Sequence, residues 1–220
     1  MREMWFALFG AAMLVSTVPG AARSPQTPAE APKSEAGTPT APSPLAVTED
    51  DRVLGKSDAP ITIVEYASLN CPHCAHFALD VLPTVKEKWI DTGKAKLVVR
   101  DYPLDEQALR AAMVTRCAPP DRYYALVDTF LQAQPKWVGA RDYRETLARL
   151  AKLGGMSQKQ FDSCIDDAAL ANKLAETRLV ADQQLGVDAT PTFFINGTRF
   201  EGEPSVAAMD KALSAASAKS

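Results

Sequence analysis

The sequence predicts an α/β fold in which a βαβ half and a ββα half are separated by a helical insertion. Three observations predict it. A β-branched apolar run at 61–66 leads straight into a helix and a second strand. The apolar residues of a long middle stretch, about 104–186, recur at helical spacing, and Asn196-Gly197 separates two short apolar runs near the C-terminus. At 220 residues, 46% hydrophobic and 23% charged, the chain has enough apolar surface for one sizeable core. A formal net charge of -3 without any block of Lys or Arg gives no general attraction to polyanions. Nucleic acid is therefore not an expected partner.

Before the fold come two segments of different character. Arg2 precedes an apolar run from Met4 to Val18, then Pro19-Gly20 and the small residues Ala21 and Ala22, the pattern of a signal peptide over 1–22. The run is short for a bilayer span, and the alternative is an uncleaved anchor. No cysteine stands near the cleavage region to accept a lipid. Residues 23–48 are rich in Pro, Ala, Ser and Thr, which cannot bury enough surface to offset their ordering entropy, and are expected to be a disordered linker. The folded domain is expected over 49–218.

Within it, Ile61-Thr62-Ile63-Val64-Glu65-Tyr66 is apolar on both faces, as in a central strand, and Asn70-Cys71-Pro72 starts a helix. Phe77, Val81, Val85 and Trp89 form that helix's buried stripe, which Pro83 should kink or divide. Gly93 ends it, and Lys96 to Arg100 reads as a second, parallel strand. The insertion follows, marked by Leu109, Ala112 and Met113, then Tyr123, Val127, Phe130 and Leu131, then Tyr143, Leu147 and Leu150. Ser157 with Gln160 is a capping-box signature, and a longer helix through Leu170, Leu174, Ala181 and Leu185 stops at Gly186. Thr192–Asn196 and Thr198–Glu201 should form a hairpin, with a closing helix from Pro204 to Ala215.

Chemistry concentrates at Cys71-Pro72-His73-Cys74. A thiolate on the first turn of a helix faces unpaired N–H groups and the positive end of the helix dipole. Pro72 stiffens the turn, and a protonated His73 would add a cation beside the sulfur. Lowering a thiol pKa from about 8.5 to about 5.5 stabilises the reduced form by roughly 2 kcal/mol at pH 7, or about 45 mV for a two-electron couple. Cys74, a turn on, should be the more buried resolving thiol. Glu65, on the preceding strand, is a candidate for moving the proton of Cys74 because burial raises a carboxylate pKa. Ala189-Thr190-Pro191-Thr192 opens the hairpin with a proline at a strand entrance, a turn or a cis bond.

Taken together, the segments 64–74 and 186–197 and the intervening helices resemble the thioredoxin superfamily and, within it, the exported DsbA-like disulfide oxidoreductases. The resemblance spans roughly residues 50 to 216. It implies a thioredoxin fold carrying the insertion, a cis Pro191 facing the dithiol, and Thr190 backbone groups that pair with an extended substrate. It further implies a periplasmic protein disulfide oxidoreductase, a dithiol oxidase of reduced unfolded exported proteins. A DsbB-like membrane partner linked to quinone would reoxidise it. No cofactor and no metal is expected, and a monomer is the expected state. Two features depart from the family's oxidase: Thr190 stands where that oxidase has an apolar residue, and Cys117 and Cys164 are additional. The extra pair reads as a structural disulfide between two helices, closing a loop whose stabilisation is at most about 4 kcal/mol. A second redox relay is the alternative.

Two rivals follow. Cys71, His73, Cys74 and His76 cluster in sequence as a metal-binding module would, but without a second ligand pair at finger-like spacing. Within the enzyme class, the alternative is a disulfide reductase or isomerase, whose relatives often carry an oligomerisation segment where this chain has its Pro-rich stretch.

Overall fold

The computed structural model describes residues 43–218. The expected signal peptide and all of the expected linker but its last residues lie outside them. Five strands form one sheet in the order β1-β3-β2-β4-β5. Strand β2 (Ile61–Ala67) is central because its β-branched residues are buried on both faces. It pairs in parallel with β3 (Ala95–Asp101) and antiparallel with β4 (Thr192–Ile195). Glu65 stands opposite Val99 on one side and Phe193 on the other. The short strand β1 (Val53–Leu54), which carries no sequence signal of its own, adds an antiparallel edge to β3.

The chain from 72 to 90 winds as α1 (Pro72–His76), a π-turn (Phe77–Val81), α2 (Leu82–Val85) and a second π-turn (Lys86–Ile90). This is the division expected at Pro83. Proline has no N–H to give and its ring collides with the carbonyl four residues back, so the turn ahead of it widens and Pro83 sits in the first turn of a renewed α-helix. Phe77, Val81, Val85 and Trp89 all face inward, packing with Ile61, Ile63 and Phe193 and with Met209 and Leu213 of α9 (Val206–Ser217). The other sheet face, with Val64, Tyr66 and Phe194, is covered by Ala181 of α8 (Ala168–Leu185).

Between β3 and β4 the helical insertion is α3 (Glu106–Arg116), α4 (Tyr123–Gln132), the short α5 (Gln134–Trp137), α6 (Tyr143–Leu153), α7 (Gln158–Ile165) and α8. Its apolar stripes meet in a core of their own around Met113, Tyr123, Phe130, Trp137 and Leu147. Leu69, from the loop before Cys71, is part of that core. The capping box at Ser157 and Gln160 is formed, and Gly186 closes α8 with φ 64°.

Three boundaries differ from the sequence reading. Helix α9 starts at Val206 rather than Pro204, because the Ser205 hydroxyl caps it by accepting from Ala208 N–H. Strand β5 is only Thr198–Arg199, its hairpin turned by Asn196 (φ 46°) and Gly197 (φ 83°). The linker expected to run to residue 48 is already fastened at residue 44. Arg100, buried in β3, donates to the carbonyls of Pro44 and Ala46 and pairs with Asp51 at 2.8 Å. A buried guanidinium needs all its donors satisfied, and this segment supplies the acceptors. Among the described residues, no helix is long and apolar enough to cross a membrane.

Candidate active site

Cys71 lies where the central strand gives way to α1. Its N–H bonds the Ser68 carbonyl at 3.1 Å, and it caps the helix in an extended conformation (φ -81°, ψ 122°). Pro72 takes the first helical position, where a missing N–H goes unnoticed. The cap geometry aims the helix's free donors at the sulfur. Hydrogen bonds to the Cys71 thiolate come first from the Cys74 thiol, then from the Thr190 hydroxyl and the backbone N–H groups of Cys74 and His73. They outweigh the opposing effect of burial and hold the Cys71 pKa at about 5.

The Thr190–Pro191 bond is cis, and the Thr190 carbonyl lies 3.2 Å from Cys71 Sγ. The neutral thiol donates to that carbonyl. When the proton leaves, the donors named above take over. The Thr190 hydroxyl is buried and has no hydrogen-bond partner among the described residues, so it is available to donate to the sulfur once the proton has left.

Cys74 behaves in the opposite way. It is 1% exposed, and its pKa is pushed far above the ordinary thiol range by burial, by its hydrogen bond to Cys71 and by the negative charge of Glu65. Glu65 points to the same face of β2 as Ile63 and Ala67, under α1. It is 3% exposed and makes no hydrogen bond to the described residues, and burial, followed by the Cys71 thiolate, raises its pKa to about 8. One thiol that ionises readily, one that resists ionisation, and a carboxyl that carries a proton near neutral pH thus lie together.

The His73 ring is exposed and makes no hydrogen bond, and this residue reaches the sulfur through its backbone N–H. His76 is exposed as well and pairs with Asp80 at 2.8 Å, one helical turn on. Among the described residues, no group of three or more His, Cys, Asp or Glu side chains is arranged to hold a metal ion. Cys117, which caps α3, is bonded to Cys164 in α7, with Cα atoms 6.2 Å apart.

Sequence reasoning missed the residues that hold the loop ahead of Cys71. Gln134 donates its two amide protons to the carbonyls of Leu69 (2.7 Å) and Cys71 (3.0 Å). Asn70 donates to Asp105, the cap of α3, at 2.8 Å, and accepts from the Ser68 hydroxyl at 2.6 Å. No local pattern announces Gln134, because its partners lie more than sixty residues away.

The family model described as thioredoxin matches residues 47–215. The crystal structure of α-DsbA1 from Wolbachia pipientis is 31% identical, covering 80% of this chain and 94% of that one, with a TM-score of 0.75. The chain belongs to the DsbA-like branch of the thioredoxin superfamily. Other relatives of this DsbA-like chain include a Rickettsia bellii protein named for protein-disulfide oxidoreductase activity, 36% identical over 76% of this chain. A Rickettsia prowazekii protein named in the same way is 35% identical. The chain spans 66% and 63% of the length of those two curated relatives. The Chlamydia trachomatis DsbA structure, at 22% identity and a TM-score of 0.68, shares the fold.

Proposed function

We propose that this DsbA-like chain is a thiol-disulfide oxidoreductase that introduces disulfides into exported proteins, acting in the bacterial periplasm as a monomer. The observation that carries the reading is the opposite tuning of two adjacent buried thiols, Cys71 held at about 5 and Cys74 pushed far up.

In the oxidised protein, a substrate thiolate attacks Cys71 Sγ. The Cys71–Cys74 bond breaks, a mixed disulfide forms, and Cys74 leaves as a thiolate that takes up a proton. The substrate's second thiolate then attacks its own sulfur in the mixed disulfide. Cys71 departs, favoured because the Cys74 thiol, the Thr190 hydroxyl and the N–H groups of the helix start stabilise its anion. The substrate has lost two electrons and two protons, and the dithiol has gained two electrons. A DsbB-like membrane partner would pass those electrons to quinone and restore the disulfide. Thr190, with Pro191, lies beside the attacked sulfur, where its backbone is suited to pair with an extended substrate. Glu65 supplies and recovers the proton of Cys74, and Cys117–Cys164 acts as a structural clamp.

The test compares oxidation of a reduced peptide with rescue of a scrambled disulfide protein. Rapid oxidation with poor rescue is expected, and both are lost in Cys71→Ser. Efficient rescue with weak oxidation would make the chain an isomerase instead.

A further inference from the structure

Beneath the dithiol is a small cavity of about 20 Å³. A single water needs roughly 10–15 Å³ of such space and two to four polar partners. The wall offers the partners: Glu65 and Cys74 on one side, and Tyr123 and Asp128, both from helix α4 of the insertion, on the other. The Tyr123 hydroxyl is completely buried and makes no hydrogen bond. An orphaned phenol of this kind costs about 1–3 kcal/mol unless water satisfies it.

The other charged groups around the cavity do not compete for that water's proton. Asp101 is engaged by Arg116, whose guanidinium also lies 5.0 Å from the Tyr123 ring centre. The Tyr124 hydroxyl has its one proton engaged by the backbone, with the carbonyls of Arg52 and Leu97 both within hydrogen-bond distance at 2.7 and 3.0 Å. Asp128, by contrast, is half-buried and makes no hydrogen bond to the described residues. Burial alone raises its pKa, so its carboxyl takes up a proton more readily than a free aspartate does.

We infer that this cavity holds one water that, with the Tyr123 hydroxyl, relays protons between Glu65 and a solvent-side carboxylate, Asp128. The inference rests on the reading of the dithiol given above. When a substrate thiolate opens the Cys71–Cys74 bond, the Cys74 thiolate takes the proton of Glu65. The Glu65 carboxylate takes one from the water, the water takes one through Tyr123 from Asp128, and Asp128 takes one from solvent. Each group ends with the protons it started with, except Cys74, which gains one. Reoxidation runs the chain backwards. The helical insertion thereby supplies a functional part as well as a cover, because on this wall the polar groups without a hydrogen bond to the described residues, the Tyr123 hydroxyl and the Asp128 carboxyl, both come from α4, whereas Ser68, Asp101 and Tyr124 are already engaged.

The experiment is stopped-flow reduction of the oxidised full chain by a dithiol peptide, across pH 6–9, with and without imidazole as a small proton carrier. Tyr123→Phe and Asp128→Asn should each slow the protonation-dependent step several-fold, leave the Cys71 thiolate titration in place, and regain rate as imidazole is added. Asp128→Ala, which opens the cavity mouth, should be rescued more fully. Unaltered rates in both Asp128 variants would overturn the relay, as would slowing that imidazole leaves untouched in a variant with wild-type melting behaviour. If the wild-type chain itself exchanges no disulfide with the peptide, it is the dithiol reading that fails.

Discussion

Cys74 sets the chemical difficulty at the residue scale, because a thiol so resistant to ionisation leaves poorly unless a proton meets it. Cys71 is the counterpart, and its ionisation is directly observable. With the reduced pair titrating at about 5 and then only far above neutrality, the thiolate absorbance of the reduced chain should rise through pH 5. It should be absent in Cys71→Ser. The reduction potential should fall by about 59 mV per pH unit below that point and by about 30 mV above it, since one proton fewer accompanies the two electrons. Glu65 makes a second prediction. Its folded pKa of about 8 lies above the roughly 4.3 of an unfolded chain, so the folded state holds the extra proton and loses stability as pH rises from the lower value to the higher. Glu65→Gln should remove that loss, gaining on the order of 4 kcal/mol at pH 7 and little at pH 4. Chemical denaturation at the two pH values checks it.

At the scale of elements, what was readable in the sequence follows how local each signal is. The central strand, the stripe of Phe77, Val81, Val85 and Trp89, the capping box at Ser157 and the Asn196-Gly197 turn are fixed by residues a few positions apart, and the structure places them where the pattern does. Glu65 was readable because apolar neighbours announce burial, and Cys74 because it follows Cys71 by one helical turn. Edge strand β1 was not, since two residues carry no periodicity and the pairing comes from β3. Gln134 was invisible for the same reason. Its amide joins α5 to the redox loop, leaving the Leu69 carbonyl dependent on it. Gln134→Leu should therefore cost about 1–3 kcal/mol and speed hydrogen exchange of the amides at 69–75, while a merely peripheral glutamine would alter neither. The exposure of the His73 ring also needed the structure, because a helix start aims backbone N–H groups inward and leaves the second side chain in solvent.

Across the whole molecule, long-range ties hold the N-terminal segment to the thioredoxin core and brace the insertion within itself. Arg100 grips Asp51 and the carbonyls at 44 and 46, and the Cys117–Cys164 bond joins α3 to α7 across 47 residues. Replacing both of those cysteines by serine should lower stability by at most about 4 kcal/mol, read as a fall in melting temperature, while the thiolate titration near pH 5 persists. Loss of that titration would mean the second pair takes part in the redox chemistry.

The mechanism turns on which sulfur a substrate meets. A single-turnover mixture of the oxidised chain with a reduced dithiol peptide, quenched in acid and read by mass spectrometry, measures this directly. A transient peptide adduct on Cys71 is expected, followed by a peptide lighter by two hydrogens and a chain with free thiols at 71 and 74. An adduct on Cys74, or no transfer to the dithiol, would contradict this mechanism.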